Sequence, residues 1–260
     1  LYEQGRFYDA PASMSTLLRT DFLTPAEKWL FVKLFMKILR TRTAHVGGQS
    51  VRAWLDREVH NVHLSRMLSA FARTMTYCAN LDLISADIFL ERLTLSDIRY
   101  IDDGWQSIVD SLYVKAIEAG VHILTRTRVC ELFQQGERIE GLGLADGRRV
   151  AARAVVLATP LAEALRLLDG VDSAPLRQTL ATAEPLRIAC LDVALSCLPV
   201  PQHAVVFDLE QPRFLTTQSL FAHVAPKDGA LIHTFKQLDP ARPGDSHQDE
   251  RELEEWLDLI

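Results

Sequence analysis

Apolar and polar positions follow two rhythms along this chain, and the change falls near Tyr100. Before it, apolar residues recur at helical spacing between capping signals. Thr24-Pro25-Ala26-Glu27 reads as a capping box, with the Thr24 hydroxyl set to accept from the Glu27 N-H and proline at the first helical position. It predicts a helix from about Pro25 to Arg40. Gly47-Gly48 then breaks the chain, Ser50 caps a short helix through "VRAWLDREV", and Asn61 caps a longer one through "VHLSRMLSAFARTMTYC". "SADIFLERL" makes a fourth. No fixed-period repeat is present, which excludes a solenoid.

After Tyr100 one more helix, "GWQSIVDSLYVKAIEAG", carries Ile108, Leu112, Val114, Ala116 and Ile117 at helical spacing and stops at Gly120. The rhythm then shortens to that of strands. "VHILT", "RVCELFQQ", "RIEGLGL" and "RRVAA" follow, with turns at Gln135-Gly136 and Asp146-Gly147. "AVVLATP" is almost wholly apolar, the pattern of a strand buried on both faces of a parallel sheet. Later come "LRIACLDVALSCL", "HAVVFDL", "RFLTTQS" and "ALIHTFKQL", separated by Pro199, Pro201, Pro212 and Asp228-Gly229. These predict a mostly antiparallel sheet able to floor a cavity.

Composition narrows the classes. With 260 residues and 48% apolar content, the chain can bury a substantial core as one large domain or two. A net charge of -6 and a pI near 5.8 argue against a nucleic-acid partner. Cys78, Cys130, Cys190 and Cys197 lie far apart with no C-x-x-C pair, so neither a zinc site nor a disulfide framework is indicated, and a reduced, cytoplasmic setting is expected. No apolar run reaches the roughly 18 residues of a spanning helix, and no signal peptide opens the chain. The start at Leu1 and the stop inside "ELEEWLDLI" predict a segment of a longer protein.

The order helix, strand, meander, apolar strand imitates a nucleotide-binding α/β layer, in which ligands sit off the carboxyl ends of the strands. Small residues at Ala158-Thr159 would let a flat ligand approach the backbone. The phosphate-cradling G-x-G-x-x-G turn is absent, and "GLGLADG" is hairpin material because no helix follows it. His60 and His63 stand three apart without converging ligands, so solvated or capping roles are expected rather than a metal site. His223 and His233 fall in strand-like segments, where nothing in the sequence supports a proton-transfer role. In the helix "EKWLFVKLFMKILR", Lys33, Lys37 and Arg40 form a basic stripe among apolar residues. Residues 28–40 can be core, the wall of a tunnel for an apolar substrate, or a peripheral membrane contact.

The stretch "YIDDGWQSIVDSL…AGVHILTRTRV…I…GLGLADGRRVAARAVVLATP" resembles the middle of the flavin-dependent phytoene desaturase, protoporphyrinogen oxidase and amine oxidase superfamily. The resemblance covers residues 99 to 168 and departs at Asp103, where a glycine is common. It implies a mixed α/β and α+β protein, a partial Rossmann-like FAD-binding segment with an inserted substrate domain of helices and an antiparallel sheet. Residues 1–98 and 169–260 would form the substrate domain, and 99–168 the central FAD segment. FAD would lie against Val129, Ala158, Thr159 and Pro160, while Gly104, Trp105 and Gln106 would border flavin and substrate. Each has a plainer reading: Val129 as strand core, Thr159-Pro160 as a helix cap, Trp105 as a packed aromatic, Asp102 and Asp103 as acids at a helix N-terminus. No catalytic residue is assigned, since the cofactor carries the hydride transfer. Amine oxidases of the superfamily commonly place a lysine after "P-L" near the flavin. "EPLRIACLDVALS" offers only Arg187, which favours a small apolar substrate over an amine. The rival expectation is a binding module, or an isolated substrate domain, that keeps the cavity without the chemistry.

Overall fold

The helical rhythm of the first hundred residues becomes five helices in a computed structural model that describes residues 1–40, 46–95, 98–136, 138–168, 174–200, 203–242 and 244–260. They are α1 (Met14–Arg19), α2 (Pro25–Arg40), α3 (Val51–Glu58), α4 (Val62–Thr76) and α5 (Ala86–Thr94). The predicted caps form as hydrogen bonds. Thr24 and Glu27 close the capping box on α2, Ser50 accepts from the Ala53 N-H at 3.2 Å, and Asn61 accepts from the Leu64 N-H at 3.0 Å. Helix α1 was not predicted, although Ser13 and Thr16 cap it reciprocally. These helices share one core that includes Leu17, Leu23, Trp54, Leu55, Met67 and Phe89. Each such side chain contributes about 1.5–3 kcal/mol on burial.

Residue contacts divide the chain into two compact units, Leu1–Ile108 with Leu186–Ile260, and Val109–Pro185. The first unit adds a small hairpin, β1 (Tyr2–Glu3) with β2 (Arg6–Phe7), and a four-stranded antiparallel sheet. That sheet comprises β6 (Ile188–Leu195), β7 (Val205–Phe207), β8 (Arg213–Thr217) and β9 (Ala230–Gln237), in the order β6-β9-β8-β7. All four match strands read from the sequence; Pro201, expected between two of them, lies outside the described residues. One face packs on α9 (Ser246–Leu257) through Val206, Leu215, Leu253 and Trp256. Lys236 reaches from that face to Asp249 and Glu252 of α9, at 2.7 and 2.6 Å.

The second unit holds the meander β3 (Val129–Gln135), β4 (Arg138–Leu144) and β5 (Arg149–Ala151), with α7 (Leu161–Leu167) and α8 (Ala174–Thr182). Helix α6 (Trp105–Glu118) runs from the first unit into the second. It ends as predicted, with the Gly120 N-H on the Ile117 carbonyl and the Val121 N-H on the Ala116 carbonyl.

Residues 121–125 and 154–160 carry no strand, and Val156 is 90% exposed rather than buried in a parallel sheet. A doubly buried strand needs a hydrogen-bonded neighbour, and no described strand pairs with either stretch. All three sheets are antiparallel among the described residues. The architecture is thus mixed α/β with antiparallel sheets.

Candidate active site

The face of the four-stranded sheet opposite α9 is built in cross-strand rows. Pairing sets Asp192 opposite His233 and His233 opposite Thr216 in one row. The next row sets Cys190, Phe235, Phe214 and Phe207 side by side. Alternation along strands therefore gathers polar groups beside a band of aromatic rings. Phe71 of α4 closes on Phe207 at 4.9 Å, and Tyr77 on Phe235 at 5.4 Å. Tyr77, half exposed at the C-cap of α4, holds a left-handed φ of 58°. Such a conformation in a bulky residue is sustained by its surroundings and tends to mark functional sites.

Two loops complete the wall. Tyr100 stacks on Phe221 at 5.1 Å, and its hydroxyl lies 3.2 Å from that of buried Thr216. Asp102 accepts from the His223 N-H at 2.7 Å, while the Asp103 N-H donates to the His223 carbonyl at 3.0 Å. Beside their place before the N-terminus of α6, one carboxylate and one amide pin this loop to residue 223. Asp103 and Gly104 have φ of 61° and 74°. Asp103 thus adopts the conformation for which the superfamily's usual glycine is suited, and aspartate is among the few side chains that tolerate it.

In Asp192–His233 the ring Nδ1 lies 2.5 Å from the carboxylate, with side-chain exposures of 24% for His233 and 63% for Asp192. A carboxylate only accepts, so Nδ1 carries the hydrogen, and in the neutral ring Nε2 is then the nitrogen with the lone pair. Burial, then the Asp192 charge, push the neighbouring Cys190 thiol up, which rules against a thiolate nucleophile there. The sheet's lysine, Lys236, lies on the opposite face in its bridges to α9, so among the described residues the strands present no lysine on the site face.

Gly104 sits half-buried beside this wall, and Trp105, the first residue of α6, is 76% exposed. The packed-aromatic reading of Trp105 is therefore overturned. Gln106 is exposed in the first turn of α6. Val129 opens β3, half-buried opposite Leu144. Ala158, Thr159 and Pro160 are exposed, and Pro160 is itself the N-cap of α7 with no side-chain bond, so Thr159 does not cap that helix. Around them Val121, Leu124 and Val156 leave apolar surface open, 49, 57 and 90% exposed. Small and apolar residues of this kind fit the flank of a flat dinucleotide, and the Thr159 hydroxyl is the one side-chain donor among residues 158–160. His63 binds the Glu27 carboxylate at 2.8 Å, and no cluster of three metal-ligating side chains occurs among the described residues. Sequence reasoning missed Asp192, Thr216, Tyr77, Tyr100 and Phe221. The alternation in "LRIACLDVALS" and "ALIHTFKQL" is the one local signal that could have put Asp192 and His233 on a shared face.

The flavin containing amine oxidoreductase family model matches residues 2–185. The chain belongs to this family. No curated protein matches it. Among solved structures, this flavin oxidoreductase family member is similar to an oxidoreductase from Methanosarcina mazei, with 16% identity and a TM-score of 0.70 over 95% of this chain and 58% of that one. The PF1083 protein from Pyrococcus furiosus gives 21% identity and a TM-score of 0.69 over 90% of this chain and 60% of that one. A protein assigned as a protoporphyrinogen oxidase from Exiguobacterium sp. 255-15 gives 14% and 0.61, over 98% of this chain and 61% of that one. The family member described here thus spans about three fifths of the length of these structures. At such identities the likeness establishes the fold.

Proposed function

We propose that the whole protein is an FAD-dependent oxidoreductase that abstracts hydride from a small apolar substrate, in the manner of a desaturase or a protoporphyrinogen oxidase. The observation that carries this reading is the aromatic face without a lysine, bordered by Tyr77, Tyr100 and Phe221. Aromatic rings supply large apolar contact with little conformational freedom to lose, which suits a planar, weakly polar substrate. When bound, the flavin supplies the two-electron acceptor. The residues of this chain do the rest: the sheet face floors the cavity as part of an inserted substrate domain, and Gly104, Trp105 and Gln106 border it. Val129, Ala158, Thr159 and Pro160 flank the dinucleotide in the same proposal, and Thr216 with Tyr100 orients the substrate's polar end. Without a phosphate-binding turn, residues 1–260 alone bind flavin weakly and do not turn over.

Absorbance after desalting against excess FAD tests this. The whole protein retains the flavin bands near stoichiometry, and polyene or porphyrinogen substrates bleach them anaerobically faster than amines do. A whole protein that folds yet emerges colourless would overturn the proposal, and bleaching by amines alone would overturn its substrate class.

A further inference from the structure

The Asp192–His233 pair lies at the border of the aromatic face. A cross-strand pair of this kind contributes only about 0.2–1 kcal/mol to a sheet. The pair's geometry does something further. With Nδ1 committed to Asp192, the ring is fixed in one tautomer and one orientation, and Nε2 has no partner among the described residues. Next to it, the Thr216 hydroxyl lies 3.2 Å from that of Tyr100. His233 lies 5.7 Å from Phe235 and therefore at the edge of the aromatic band.

We infer that His233, oriented by Asp192, is the proton acceptor for a substrate that is apolar and planar except for one acidic hydrogen, carried on nitrogen or oxygen at the bond being oxidised. The inference rests on the reading of this face as a substrate floor. Two hydrogens leave across the bond that becomes double. One would depart as hydride with its bonding pair, for which flavin, when bound, would supply the two-electron acceptor. The other departs as a proton to Nε2, whose lone pair forms the new N-H bond, while the electrons of the broken bond form the substrate's second bond. The imidazolium is then held by the Asp192 carboxylate, as an oriented histidine requires. Asp192 is a positioning residue in this scheme.

Nitrogen NMR of the whole protein, labelled at histidine, reads the proposal without relying on the flavin. His233 is expected in the Nδ1-H form. Phenol, a planar probe with one acidic hydrogen, moves the Nε2 resonance, whereas benzene moves the Tyr100 and Phe221 ring signals and leaves Nε2 in place. Asp192→Asn keeps the fold by circular dichroism but loses the single tautomer and most of the phenol-induced shift. His233→Gln removes the resonance and weakens phenol at least several-fold relative to benzene. An Nε2-H tautomer in the native protein overturns the inference. So does a phenol complex that leaves Nε2 unmoved while the ring signals respond, and in that case the substrate floor survives. If neither probe perturbs the face, the floor falls and the role of His233 falls with it.

Discussion

Gly141 shows how single positions build the meander. A methyl group there would meet the Val150 carbonyl oxygen at 2.3 Å and the Ala151 Cα at 3.1 Å, so β5 pairs closely only because residue 141 has no side chain. Gly141→Ala should destabilise the second unit by about 1–3 kcal/mol and strip amide-exchange protection from residues 149–151. Full protection in the variant would contradict this. The position was legible in "GLGLADG" as hairpin material, but its close partner was not, because strand register is a property of the pair. Asp103 carries the complementary lesson. Its left-handed backbone was foreshadowed by the glycine expected there, yet the bonds that hold it reach residue 223, beyond any local signal. Asp192 and His233 lie 41 residues apart, and only the pairing of β6 with β9 makes them a pair.

Among the elements, α2 is the best example of local chemistry deciding structure and distant chemistry stabilising it. Burial pushes the Glu27 carboxyl up, but hydrogen bonds from the Asn61 amide, the Thr24 N-H and hydroxyl, and His63 outweigh it and hold the pKa at about 2. The folded pKa lies below the ordinary carboxyl value of 4.5, so this stabilisation is complete above that value and is lost as pH falls through about 2. Glu27→Gln should cost about 3 kcal/mol near neutral pH and much less near pH 2. Thermal unfolding at several pH values checks this; an unchanged gap between the two proteins at acid pH would count against it. The capping box was readable from four adjacent residues. Its links to Asn61 and His63 depend on how α2 meets α4.

The outer side of α2 leaves Trp29, Leu30, Met36 and Leu39 between 45 and 59% exposed, with Lys33 over the Trp29 ring. Lys37 turns instead to Glu58 at 2.6 Å, so the basic stripe is partly spent on structure. We propose that this face touches a membrane surface. The whole protein should sediment with vesicles containing phosphatidylserine, less so in high salt, and Trp29→Glu with Leu39→Glu should abolish binding. Equal recovery of native and variant protein with vesicles would reject it. No described helix is long and apolar enough to cross a membrane.

At the scale of the molecule, the four-stranded sheet joins the account together. One face is closed by α9, with Trp256 fully buried and Arg213 over its ring, and the other carries the aromatic band on which Phe71 and Tyr77 pack. The alternation that makes this division was legible, and so were all four strands. The strand read at residues 154–160 was not realised, because its burial depended on neighbours that the described residues do not supply. Family membership follows from residues 2–185, whereas the substrate must be read from the sheet face.

We propose that this face floors the substrate site, and Phe221 tests that most directly, being 48% exposed and stacked on Tyr100. In the flavin-loaded whole protein, Phe221→Ala should keep the flavin and the melting temperature while slowing anaerobic flavin reduction by an apolar substrate about tenfold, the loss of roughly 1.4 kcal/mol of transition-state contact. An unchanged reduction rate would contradict the account.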